Sequence, residues 1–115
     1  MALDDPAIGW LRGALDLAIV AVLAEGDSHG YAIAQRLADF GLGPVRGGVL
    51  YPVLGRLEAE GAVSFVWQAG VGGPGRKVYS LTDAGRVRLV GGLLHWHEFT
   101  AAMSRMLRET TGETE

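Results

Sequence analysis

The chain has no cysteine, which excludes a disulfide framework, a thiolate nucleophile and a cysteine zinc site. Long apolar runs are missing too: the longest, Leu17 to Ala24, has eight residues, against the roughly 20 that a membrane-spanning helix needs. No membrane partner is expected. Asp4 and Asp5 stand where a secretory leader would be basic, so a cytoplasmic location is expected. Histidine is scarce, and His95 and His97 are two positions apart, about 200° around a helix, so they cannot chelate a metal from one face. Ser28 and His29 are sequence neighbours with no third member to orient them. Without paired carboxylates on one face there is no nucleophile, base and orienter set, and neither an enzyme nor a cofactor or metal site is expected.

What remains is 115 residues with 49% hydrophobic and 20% charged side chains, enough for one small folded domain. The net charge of -3 looks wrong for a nucleic-acid binder until its distribution is considered. Residues 31 to 88 hold seven basic and four acidic side chains, a net of +3, while the rest carries -6. A basic middle between acidic ends is the layout of a local phosphate-binding face.

Apolar residues Leu11, Leu15, Ala18, Ile19, Val22 and Leu23 recur at helical spacing and Gly26 stops them, which predicts a first helix. Asp27 and Ser28 are candidate caps for a second, with Tyr31, Ile33, Ala34, Leu37 and Phe40 as its buried stripe. After an Arg46-Gly47-Gly48 loop, Leu50, Val53, Leu54 and Leu57 predict a third helix, with Pro52 near its start and Gly61 as terminator. Ala62 to Gln68 and Lys77 to Leu81 read as strands joined by a glycine-rich loop, a β-hairpin. That loop joins strand to strand and lacks Gly-Lys-Ser/Thr, so it is no nucleotide cradle. Thr82 is placed to cap a long last helix from Asp83 to about Arg108.

The expected fold is mainly α with a small β-hairpin: a winged helix-turn-helix over residues 1–82, a dimerisation helix over 83–108 packed on helix 1, and a flexible tail over 109–115. Such modules bind DNA or serve as protein-interaction modules, because fold does not fix function. The third helix, with one buried face, is suited to a major groove about 12 Å wide.

Three segments then stand out: His29-Gly30-Tyr31, Gly48 through Gly61 with Leu-Tyr-Pro at its centre, and Gly75 through Arg86 with Tyr-Ser-Leu-Thr-Asp-Ala-Gly. In this order and spacing, over about residues 11 to 107, the chain resembles the PadR family of bacterial transcription regulators, in the small form with a single C-terminal dimerisation helix. The resemblance implies a homodimeric winged-helix repressor that binds a near-palindromic operator in double-stranded DNA and is released by a small effector. Val49 stands where the family often has a small hydroxyl residue, and Gly55 where it often has Lys or another polar residue; these departures imply one phosphate contact and one cation fewer.

The expected DNA-facing set is Tyr31, Arg46, Gly48, Tyr51, Pro52, Gly55, Arg56, Arg76 and Lys77. Tyr51, Pro52 and Gly55 lie off the buried stripe, and Tyr51 either offers its hydroxyl to DNA or packs over the helix 2 junction. Arg56 either reaches DNA or pairs with Glu60 at i+4. Arg76 and Lys77 follow the glycine loop as a wing would. Tyr31 opens helix 2, whose amino terminus either holds a phosphate or is structural.

In the last helix Leu89, Leu93, Trp96, Thr100, Met103 and Leu107 alternate spacings of four and three, the pattern of a helix paired along its length and the expected dimer interface. Gly91 and Gly92 there suggest a kink or a close approach. In small PadR-like regulators a Trp at the distance of Trp96 stacks on flat aromatic ligands at the dimer interface, so the resemblance implies an effector pocket at Trp96. Trp10, just before helix 1, is a candidate to line the same cavity, and Met103 either forms part of its wall or fills a gap in the core. The alternative is that both tryptophans fill the dimer core.

Overall fold

Helix α1, Asp5–Glu25, is the axle on which the other elements are mounted. The computed structural model describes residues 5–70 and 72–112, with side chains from residue 9 onward. Strand β1 is Ser28–His29, α2 is Gly30–Asp39, α3 is Gly47–Ala59, β2 is Val63–Gln68, β3 is Arg76–Leu81 and α4 is Asp83–Thr111. Leu15, Ile19 and Leu23 of α1 meet Ile33 and Leu37 of α2, and Leu50, Leu54 and Leu57 of α3. Tyr79 and Leu81 of β3 close the core from the sheet side. A fully buried side chain of this kind contributes about 1.5–3 kcal/mol, so the three predicted apolar stripes do specify the helix packing.

The sheet has three strands in the order β1-β3-β2, not a hairpin alone. Ser28 pairs with Tyr79 and His29 with Val78. Because Ser28 is drawn into that strand, neither it nor Asp27 caps α2; His29 does, its Nδ1 accepting from the Ala32 amide at 3.3 Å. Two members of the expected α2 stripe are also outside the core. Tyr31 is 69% exposed because it stands two positions, about 200°, from Ile33, and Phe40 lies past the last helical residue.

Helix α3 takes in Gly47 and Gly48, expected in the loop, so Pro52 falls inside it rather than near its start. The bond Pro52 cannot donate would have gone to Gly48, on the exposed side, where water can serve the carbonyl. Thr82 caps α4 as its position predicts: its Oγ1 accepts from the Gly85 amide at 3.0 Å and donates to the Gly61 carbonyl at 2.7 Å. Gly85 lets α4 cross tightly there, since a Cβ would strike the Ala62 carbonyl oxygen. Seven residues on, a Cβ at Gly92 would come within 2.6 Å of Leu17 Cδ1, so Gly92 marks a close approach of α4 to α1. Gly91 meets nothing.

Helix α4 runs one turn beyond the expected Arg108. Thr110 and Thr111 donate their hydroxyls back to the Met106 and Leu107 carbonyls, and Gly112 closes the helix at a φ of 76°. Residues 113 to 115 of the expected tail lie outside the described residues. Among the described residues no helix is long and apolar enough to cross a membrane.

Candidate nucleic-acid interface and apolar groove

With Leu50, Leu54 and Leu57 turned inward, the helical repeat places Gly48, Pro52, Gly55 and Ala59 along the opposite face of α3, all exposed. Tyr51 and Arg56 flank that face. Tyr51 does two things: it is 50% exposed, and its ring lies against Gly30 at the start of α2, where a Cβ would fall 2.7 Å from its Cζ. The packing over the start of α2 is thus present, and half of Tyr51 stays open to the exposed side. Val49 is partly buried against the core, so its missing hydroxyl does not lie on the exposed face.

Between α3 and the sheet runs a groove of about 440 Å³, lined by Tyr31, Tyr51, Gly55, Trp67, Arg76 and Lys77 among others. The wing cations are unlike each other. Lys77 is partly buried, 3.8 Å from Glu58 and 4.0 Å above the centroid of Phe65, so it ties the wing to α3. Arg76 is exposed and makes no ion pair among the described residues. Arg46, the residue before α3, is likewise exposed and makes no cap bond.

Trp67 was not among the expected site residues. Register pairs it with Lys77 on one face of the sheet, edge-on to Phe65, and leaves it 67% exposed at the groove. The sequence signal was the strand alternation of Phe65 and Trp67, which places both rings on one face.

Two other basic residues of the middle segment, Arg36 and Arg88, are already hydrogen-bonded to carboxylates. Arg36 donates to both carboxylate oxygens of Glu25 at 2.9 and 2.8 Å, which holds Glu25 below the usual carboxylate range. Arg56 does not take Glu60; it lies 3.8 Å from Asp16 of α1, and Glu60 takes Arg88 at 2.6 Å. That Glu60 contact, with Asp16 behind it, pushes the Arg88 guanidinium above its ordinary value. Burial, with the Glu58 carboxylate second, raises the Tyr79 phenol.

A second groove, about 430 Å³ and almost wholly apolar, lies between α1 and α4. Trp10, within α1, and Trp96 both line it, with Leu17, Leu89 and Leu93. Met103 is not part of its wall; two helical turns separate it from Trp96. Only Gly85 of α4 is buried; Leu89 packs partly against the core, and beyond it the expected seam is largely open, Trp96 at 42%. Exposed Phe99 stands beside Trp96 at 6.0 Å between ring centroids. Val87, Val90 and Leu94 add a second exposed stripe, roughly 100–160° around α4 from Leu89. Among the described residues no cluster of His, Cys, Asp and Glu has the geometry of a metal site.

This architecture has close relatives. Transcriptional regulator Rv3488 of Mycobacterium tuberculosis is 37% identical over 101 residues, covering 88% of this chain and 86% of that protein. The crystal structure of a PadR family transcriptional regulator from Eggerthella lenta superposes with a TM-score of 0.79 at 32% identity, covering 88% of each chain. Bacillus subtilis PadR in complex with operator DNA superposes with a TM-score of 0.65 at 28% identity, over 70% of this chain and 45% of that one. The model of the "Transcriptional regulator PadR-like family" matches residues 19–90; the chain belongs to this family of transcriptional regulators, which are not enzymes.

Proposed function

We propose that the protein is a homodimeric DNA-binding regulator, a repressor of a near-palindromic operator, released when a small planar aromatic effector enters the α1–α4 groove. The observation that carries the DNA reading is that the exposed face of α3 and the wing open onto one groove, with the unpaired Arg76 at its edge. The structural likeness to Bacillus subtilis PadR, solved in complex with operator DNA, supports the DNA reading. On this reading α3 enters the major groove, Tyr51 and Arg56 stand at its margins, and Arg76 follows the phosphate backbone. Trp67, exposed on the wing at the groove, is placed to pack against a sugar. The dimer reading rests on α4, whose apolar seam this protomer leaves open. The effector reading rests on the two tryptophans at the apolar groove, a wall suited to a flat ring.

The test is a fluorescence-anisotropy titration against DNA flanking the protein's own coding region, at two salt concentrations, with a scrambled duplex as control. If Arg46, Arg56 and Arg76 each neutralise a phosphate, the dimer's log-log salt slope is about -5, from roughly -0.9 per phosphate. Arg76→Ala removes two contacts per dimer and flattens the slope by about 2; Lys77→Ala, already paired with Glu58, leaves the slope nearly unchanged. Equal, weak binding to both duplexes would instead favour a protein-interaction module.

A further inference from the structure

Four charged side chains, from α1, α3, the residue that follows α3, and α4, form a line where the three helices meet. Glu60, just past α3, accepts from Arg88 Nη1 at 2.6 Å, and Arg88 Nη2 donates to Asp16 Oδ2 at 3.3 Å. The same Asp16 oxygen lies 3.8 Å from Arg56 Nη1, close enough for charge attraction but too far for a hydrogen bond. The order is carboxylate, guanidinium, carboxylate, guanidinium. All four side chains are partly exposed, so each pair alone contributes little. Their value lies in the sharing of Oδ2: two guanidinium groups face one oxygen, and Arg88 holds the hydrogen bond.

The ends of this line reach the two surfaces described above. Asp16 and Arg88 each precede a residue that lines the apolar groove, Leu17 and Leu89. Arg56 flanks the outward face of α3, next to Gly55. Any ligand or partner that shifts α4 along α1 therefore moves Arg88 relative to Asp16, and the vacated oxygen is left facing Arg56.

We propose that Arg88 is a positioning residue for DNA binding: by occupying Asp16 it leaves Arg56 free to take a phosphate, and its withdrawal hands Arg56 to Asp16. This rests on the DNA-binding reading. The line links the groove to the DNA face through one contested carboxylate oxygen, so occupancy of the groove removes one cation from each half-site without refolding anything.

A double-mutant cycle tests it, with anisotropy titrations of full-length protein on the duplex that the wild type binds, and on a mixed-sequence duplex at low salt. Arg88→Gln is expected to weaken binding about three- to tenfold and to flatten the salt slope, by at most about 2 per dimer. Asp16→Asn keeps affinity within about twofold of wild type or tightens it, and in the Asp16→Asn background Arg88→Gln has no further effect. A purely structural Arg88, acting through Glu60, would weaken binding equally in both backgrounds and leave the slope alone; that result overturns the proposal. So does an unchanged affinity and slope for Arg56→Gln. Thermal unfolding of each variant separates loss of fold from loss of contact. Failure of the wild type to bind either duplex in a salt-dependent way would overturn the DNA-binding reading itself, and this proposal with it.

Discussion

Glycine costs a helix interior about 1 kcal/mol relative to alanine, and α3 carries Gly47, Gly48 and Gly55. The glycines at Gly30, Gly85 and Gly92 have internal reasons, because a Cβ would strike Tyr51, Ala62 or Leu17. Gly48 and Gly55 have none: a Cβ at either meets nothing within 4 Å, and neither has a positive φ. On the proposed DNA reading, their bare surface lets the helix backbone come close to DNA. Gly55→Ala is therefore expected to raise stability by about 0.5–1 kcal/mol in urea denaturation and to weaken operator binding several-fold. A variant that is more stable and binds as well as the parent would move Gly55 out of the contact. Gly55 was legible as exposed from its place off the leucine stripe. Val49 was not legible in the same way, since only the true start of α3 turns it toward the core.

At the scale of elements, helices and paired strands announced themselves by period, and the pieces joining them did not. Strand β1 is two residues long, too short to show any alternation, and exists only because β3 offers it an open edge. The engagement of Lys77 was equally hidden: as a residue after a glycine loop it looked free, and cross-strand register placed it against Phe65 and Glu58. The apolar groove was half legible. Trp96 and Trp10 were singled out and both line it, whereas Met103, counted with them, is not part of its wall. The groove is bounded by α1 and α4 alone for most of its wall, so its occupant acts on how these two helices pack. Trp96→Ala is expected to keep operator affinity within about twofold, because no DNA-facing residue changes, and to abolish the response to planar aromatic compounds. Trp10 and Trp67 remain in the variant, so the titration is done in a Trp67→Phe background that leaves Trp10 as the reporter; quenching by the same compounds at the same concentrations would show that Trp96 is plain filling.

The whole molecule is longer than its size requires. Its radius of gyration is 16.3 Å, against about 13 Å for a compact domain of this length, and the excess is α4. A helix whose one buried residue is Gly85, with exposed Leu93, Leu94, Phe99, Met103, Met106 and Leu107, is not stable as an isolated arm in water. A second copy is the economical cover, because two-fold symmetry sets the same seam against itself and also presents two α3 helices to the two halves of a palindrome. Met103 tests this without touching either groove, since it lines neither. In the proposed dimer Met103→Glu places like charges on the shared seam, and is expected to shift sedimentation from dimer to protomer at micromolar concentration while circular dichroism retains the helices of the domain. Operator affinity should then fall by about a hundredfold or more, because linked half-sites gain roughly that factor from effective concentration. A Met103→Glu protein that stays dimeric would place the two-fold axis on the other exposed stripe of α4, at Val87, Val90 and Leu94, and the spacing between recognition helices would change with it.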